Sequence, residues 1–152
     1  MREKIKLGLI VAGLLLSGQV FAGEVQAGDA WARATAPDQE TGSIGVVITS
    51  QKDARLIAVT STAAASADIH SMSMDNGVMK MRQLTDLPLP AKQPVTLGPG
   101  GDHLMLFGLK HALKAGDIVP LTITVKFADQ RTEKINIKAL VRPLNYQQPQ
   151  HD

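Results

Sequence analysis

The chain has 152 residues, with 16 Lys and Arg against 14 Asp and Glu, one Trp, one Tyr, three Phe and no Cys. Residues Met1 to Ala22 read as a secretory signal, and its removal takes Arg2, Lys4, Lys6 and Glu3, leaving a mature chain balanced at 13 basic and 13 acidic residues. A neutral chain this poor in aromatics lacks the cationic grooves and stacking platforms that nucleic acids need, and the absence of thiols excludes disulfide staples, a cysteine nucleophile and the thiolate of a blue-copper electron carrier.

The signal places its positive charge before an apolar run from Leu7 to Leu16 and closes on Val20-Phe21-Ala22, with cleavage expected after about Ala22. That run is shorter than the roughly 20 apolar residues that span a membrane, and no cysteine follows it to accept a lipid. The expected product is a soluble periplasmic protein with no membrane span. About 130 residues remain, enough for one domain whose modest core must hold without disulfides.

Runs of strand character follow at Ala30 to Ala34, Ile44 to Thr49, Leu56 to Thr60, Asp68 to Met72, Val78 to Leu84, Val95 to Leu97 and His103 to Leu109. Towards the C-terminus Leu121, Ile123, Val125 and Phe127 alternate with Thr122, Thr124 and Lys126, and Ile135, Ile137 and Ala139 alternate with Lys134, Asn136 and Lys138. Period two with one wet face is the pattern of antiparallel sheet, and Ala128-Asp129-Gln130-Arg131 supplies a hairpin connection. Pro94 and Pro120 stand at run starts, where a missing N–H is tolerated. Thr62 to Ala67 is rich in alanine but too short for a helix and has no apolar stripe. The fold class is all-β, a sandwich or barrel forming a single domain over residues 23–142. The signal at 1–22 precedes it, and a flexible Gln- and Pro-rich tail at 143–152 follows it.

All five methionines after the initiator, Met72, Met74, Met79, Met81 and Met105, fall in one stretch with His70 and His103. Thioether sulfur beside imidazole suits monovalent copper, whereas zinc prefers thiolate, imidazole and carboxylate. In order, the stretch is His70, ten residues, Met81, twenty-one residues, His103, one residue, Met105. Residues two apart on a strand share a face, so His103 goes with Met105, His70 with Met72 and Met79 with Met81, while Leu104 and Leu106 point to the other side. Asp75-Asn76-Gly77 has turn chemistry that folds Met72 back beside Met79, and Gly98-Pro99-Gly100-Gly101-Asp102 forms a side-chain-poor bend that leaves room around His103. Two thioethers and two imidazoles give a tetrahedral S2N2 set at one end of the sandwich. The competing reading, for any one methionine alone, is core filler.

On these residues the sequence resembles the periplasmic copper chaperones of the PCu(A)C type. Their pattern is a His, ten residues, a Met, twenty-one residues and His-x-Met, and His70, Met81, His103 and Met105 match every interval. Trp31-Ala32-Arg33-Ala34-Thr35, Met79-Lys80-Met81-Arg82, Gly100-Gly101-Asp102-His103-Leu104-Met105-Leu106 and Ala115-Gly116-Asp117 extend the likeness over roughly Ala27 to Leu140. The resemblance implies a cupredoxin-like antiparallel β-sandwich holding one Cu(I) through two imidazoles and two thioethers. It also implies a copper-receiving partner, either a cytochrome c oxidase subunit at its dinuclear copper centre or a thiol-bearing assembly factor. Many members carry a methionine directly after the first histidine. Here Ser71 intervenes and Met72 follows, so Met72 is held as an auxiliary ligand, with Met74 and Met79 behind it.

The other conspicuous residues read as structural: Trp31 as a core or sandwich-end anchor, Arg33 in a pairing role, His111 in an exposed loop and His151 in the tail, with no second site assigned. Asp68 and Asp102 lie close to the histidines, and Asp102 is a candidate to orient an imidazole. With no glycine-flanked serine elbow and no other paired carboxylates near a histidine, the chain is not expected to be an enzyme. Binding and transfer without turnover is expected, by ligand exchange at an exposed site in a monomer. Only the imidazoles link affinity to pH, so copper binding weakens as pH falls below the ordinary histidine value of about 6.5. Two rivals stand beside the chaperone: a periplasmic copper buffer or resistance protein, and a metal-free β-sandwich that binds another protein through its Met-rich end.

Overall fold

A computed structural model describes residues 23–149. The signal at 1–22 and His151 lie outside them. Ten strands make up the described fold: β1 (Val25–Arg33), β2 (Thr41–Ser50), β3 (Ala54–Thr60), β4 (Ala64–Asp75), β5 (Val78–Leu84), β6 (Leu87–Leu89), β7 (Val95–Leu97), β8 (His103–Leu109), β9 (Ile118–Phe127) and β10 (Thr132–Arg142). No helix occurs among the described residues.

The hydrogen-bonded path runs β5-β4-β8-β2-β1-β10-β9-β3-β6, with β7 also paired to β2. β1 and β10 are parallel and the other strand pairings of the described residues are antiparallel. The path folds over so that inward side chains of its two halves share one core, the cupredoxin-like sandwich. Ile44, Val46, Ile48, Leu104 and Leu106 come from one half, and Leu56, Leu121, Ile123, Val125 and Ala139 from the other, all buried. Each buried Leu or Ile contributes about 1.5–3 kcal/mol by leaving water, which lets a disulfide-free domain stand.

Register fixes which residues face out. Ile69, Leu104, Ile44, Ala32 and Val141 pair in succession across β4, β8, β2, β1 and β10, and all are buried. One position along each strand, side chains must therefore point away from the core. A bulge between Gly28 and Trp31, with Asp29 at φ 52°, rephases β1 so that Ala32 stays inward while Trp31 turns outward opposite Gly45. A Cβ at Gly45 would collide with the Trp31 indole, so glycine here makes room for the ring.

Two short elements depart from the sequence reading. β6, Leu87-Pro88-Leu89, is a three-residue edge strand that accommodates its proline because one side needs no partner. β4 begins at Ala64, so Ala64–Ala67 of the alanine-rich segment is the first third of a twelve-residue strand.

Candidate metal centre

His103 opens β8 and is only 3% exposed. Its Nδ1–H donates to the Gly101 carbonyl oxygen at 2.9 Å. A carbonyl can only accept, so the neutral ring carries its proton on Nδ1 and presents the Nε2 lone pair. The bend that supplies this carbonyl is closed by Gly98 N–H donating to the Asp102 carbonyl at 2.9 Å. The Asp102 carboxylate is the orienting candidate that the sequence offers. The backbone of Gly101 does this instead, and no side chain could have signalled it.

His70 lies directly opposite His103 in the β4–β8 pairing. The ring centroids are 5.9 Å apart, and the His70 ring is also 5.6 Å from Phe107. Met105 sits midway between His103 and Phe107 on the same face of β8, so the His70 ring lies across the Met105 position. His70 Nδ1 is buried without a hydrogen-bond partner among the described residues. Its Nε2 stands 3.8 Å from an Asp68 carboxylate oxygen. His70 thus offers a buried Nδ1 without a partner, with the Asp68 carboxylate near Nε2 but beyond hydrogen-bond distance. Two imidazoles sharing one ion at about 2 Å each place their rings at a separation of this order.

Met81 stands apart from this trio. The turn between β4 and β5 is two residues long, with Asn76 at φ 49° and Gly77 at φ 77°, as a primed hairpin turn requires. Met72 therefore pairs with Met81, and Met74 with Met79. The expected meeting of Met72 with Met79 does not occur, because a tighter turn shifts the register. Met81 is 48% exposed on edge strand β5, diagonal to His70 on the side away from β8. Met105 is diagonal to His70 on the other side, so the Met81 and Met105 α-carbons lie roughly 16 Å apart by strand spacing and rise. His70, His103 and Met105 are thus brought together, with Met72 one rung away, while Met81 reaches them only if its hairpin bends over the sheet. Among the described residues no group of three or more His, Cys, Asp or Glu converges. Besides the Asp68 carboxylate beside His70, the donors gathered on this face are imidazole and thioether.

Trp31 is buried and meets Tyr146 edge-on at 4.9 Å, while the Arg33 guanidinium lies 5.8 Å from the Trp31 centroid. Arg142 also sits over the Tyr146 ring at 5.1 Å. The segment after Pro143, whose composition suggested fraying, thus places Tyr146 against the outward face of β1. His111 is exposed. The shifted carboxylates lie in turns and loops outside the strands, in surface pairs. Lys52 and then Arg131 hold Glu24 below the usual carboxylate range, Arg55 does the same for Asp86, and Arg131 for Asp129.

The fold is shared with solved PCuAC domains. The copper-bound PCuAC domain from PmoF2 matches with a TM-score of 0.64 over 80% of this chain and 94% of that one, at 20% identity, a likeness of fold alone. The solution structure of apo-DR1885 from Deinococcus radiodurans matches with a TM-score of 0.58 over 94% and 97% of the two chains, at 27% identity. That of CuI-DR1885 matches with a TM-score of 0.55 over 83% of each, at 29% identity. The profile of the LpqE-like family, described as "Putative lipoprotein LpqE-like", matches residues 25–138. The chain is also 32% identical over 109 residues to "Putative lipoprotein Lxx21020" of Leifsonia xyli, covering 71% of this chain. It belongs to the LpqE-like family. The chain spans 64% of the length of that curated relative and 62% of a second, the uncharacterized protein RP573 of Rickettsia prowazekii. The family's lipoprotein description fits an exported protein. No helix among the described residues is long and apolar enough to cross a membrane.

Proposed function

We propose that the protein is a periplasmic copper chaperone that binds one Cu(I) as cargo through His70, His103, Met105 and Met81 and releases it by ligand exchange. The observation that carries this reading is the pair of facing imidazoles, one with Nδ1 hydrogen-bonded to Gly101 so that Nε2 is free, the other with a buried, unpartnered Nδ1. Two neutral nitrogens and neutral sulfur favour a soft monovalent ion over a hard divalent one. The bound copper named for the PmoF2 domain and for CuI-DR1885 supports the same choice. The role proposed for this set is carriage.

The division of donors suggests the order of exchange. In this reading His70, His103 and Met105 hold the ion on the sheet, and Met81 closes over it from the exposed hairpin. A partner thiolate entering from solvent displaces Met81 first, because a thioether on an edge strand gives way with the least disturbance of the core. The recipient in this reading is the dinuclear copper centre of cytochrome c oxidase, reached directly or through a thiol-bearing assembly factor. The test has two parts. Titration of Cu(I) against a chromogenic chelator should show one tight equivalent that Met81→Leu with Met105→Leu weakens; unchanged affinity sinks the site. Deletion of the gene should lower oxidase activity in a way that added copper restores. Copper sensitivity with normal oxidase would instead mark a buffer that stores the ion.

A further inference from the structure

The hairpin beyond the histidines carries methionines that neither the core nor the proposed site uses. Met74 is 69% exposed and Met79 60% exposed, so neither is core filler. They are direct cross-strand partners, and the next rung inward is Met72 with Met81. All four share the outward parity of His70. The opposite parity of the same ribbon is mostly polar: Ser71, Ser73, Asp75, Lys80 and Arg82, with the exposed Val78 as its apolar member and an ion pair between Lys80 and Asp75. Four thioethers thus occupy one face of an exposed two-stranded ribbon whose other face is charged. Packing does not explain that, since Met74 and Met79 stand mostly in solvent, Met81 is half exposed and only Met72 is partly buried.

From this arrangement we infer that Met74 and Met79, completed by Met72, form a second, weaker soft-cation site of thioethers alone at the tip of the β4–β5 hairpin. Partners across one rung hold their β-carbons about 5 Å apart, and the next rung lies about 7 Å further along. Unbranched side chains with three rotatable bonds can bring three sulfurs from such positions to one ion. A neutral set without imidazole is a poor ligand for hard divalent ions and a workable one for monovalent copper. The rungs also lie in line, with Met74 and Met79 outermost, Met72 and Met81 next, then His70 facing His103. An ion held at the tip is therefore one rung from Met81. This role as a landing point rests on the copper carriage proposed above, whereas the tip site itself does not.

The experiment is titration of Cu(I), under anaerobic reducing conditions, into the mature chain carrying ¹³C-methyl methionine. Affinity is read by chelator competition and each methyl by NMR. In the unaltered protein the first equivalent should shift Met105 and Met81. A second, at least about tenfold weaker because three freely rotating exposed side chains must be ordered to hold it, should shift Met74, Met79 and Met72. Met74→Leu with Met79→Leu, an exposed and nearly volume-conserving change, should abolish the second equivalent and leave the first within about twofold. Unmoved Met74 and Met79 methyls in the unaltered protein, or a second equivalent that survives in the double variant, would overturn the inference. In His70→Gln with His103→Gln the tight equivalent should vanish while the shifts at Met74 and Met79 persist. A tight equivalent surviving there refutes the histidine site, and persisting tip shifts still support this one.

Discussion

His103 and Met74 present donor atoms on the same face of the same sheet, yet one is almost wholly buried and hydrogen-bonded to its own turn while the other stands in solvent. The difference follows from what lies behind each. Leu104, the neighbour of His103, packs into the core, whereas the neighbours of Met74 are Ser73 and Asp75, with Lys80 across the hairpin. A donor on the buried portion of the sheet is fixed in position and tautomer before a metal arrives. A donor on the projecting hairpin is cheap to move. Carriage needs both, a pocket that selects the ion and ligands that let it go.

The sharpest way to break the comparison is to damage the support and not the donor. Leu104→Ala removes a fully buried side chain next to His103 and beside its cross-strand partner Ile44, and should cost about 2–5 kcal/mol on chemical denaturation. Met79→Leu, on the hairpin, should leave the same denaturation midpoint within error. Next, His103→Gln removes the oriented nitrogen and should lower Cu(I) affinity by more than about 100-fold, beyond what changes outside the ligand set usually cost. Equal affinity losses for His103→Gln and Met79→Leu would erase the distinction between the two regions. The two thioethers then separate: Met105→Leu, on the sheet beside the histidines, should weaken binding several times more than Met81→Leu, while Met81→Leu should slow delivery to a thiol acceptor or leave it unassisted. The reverse ranking would place the pocket on the hairpin.

Much of this was legible in the residues. Alternation located nine of the ten strands, and the spacing of His70, His103 and Met105 with strand parity put those three on one face. The parity argument failed to separate Met81 from them, because two residues sharing a face need not be near each other: that depends on strand order, and β5 lies beyond β4 from β8. Nothing in the composition of Leu87-Pro88-Leu89 marks an edge strand. The bulge that turns Trp31 outward and the carbonyl that orients His103 belong to the backbone, which side-chain patterns do not report.

Smaller effects probe the hairpin and the surface. Gly77→Ala forces a β-carbon into the left-handed region and should cost about 1 kcal/mol, seen as faster amide exchange along β5 with β9 unchanged. The least effect is that of acid on the surface pairs. Lys52, Arg55 and Arg131 depress the carboxyl values of Glu24, Asp86 and Asp129, so their contribution is complete above the ordinary carboxylate range of about 4 and fades as pH falls through the lowered values. These groups are exposed, so the loss of melting temperature should be slight and should shrink further in high salt.

The central claim is that one Cu(I) is shared by two imidazoles and two thioethers, and X-ray absorption at the copper edge of the singly loaded protein tests it most directly. The account predicts a monovalent edge with two nitrogen and two sulfur scatterers, and one sulfur fewer in Met81→Leu. A shell of nitrogen and oxygen alone, or a sulfur shell that survives in Met81→Leu with Met105→Leu, would contradict it.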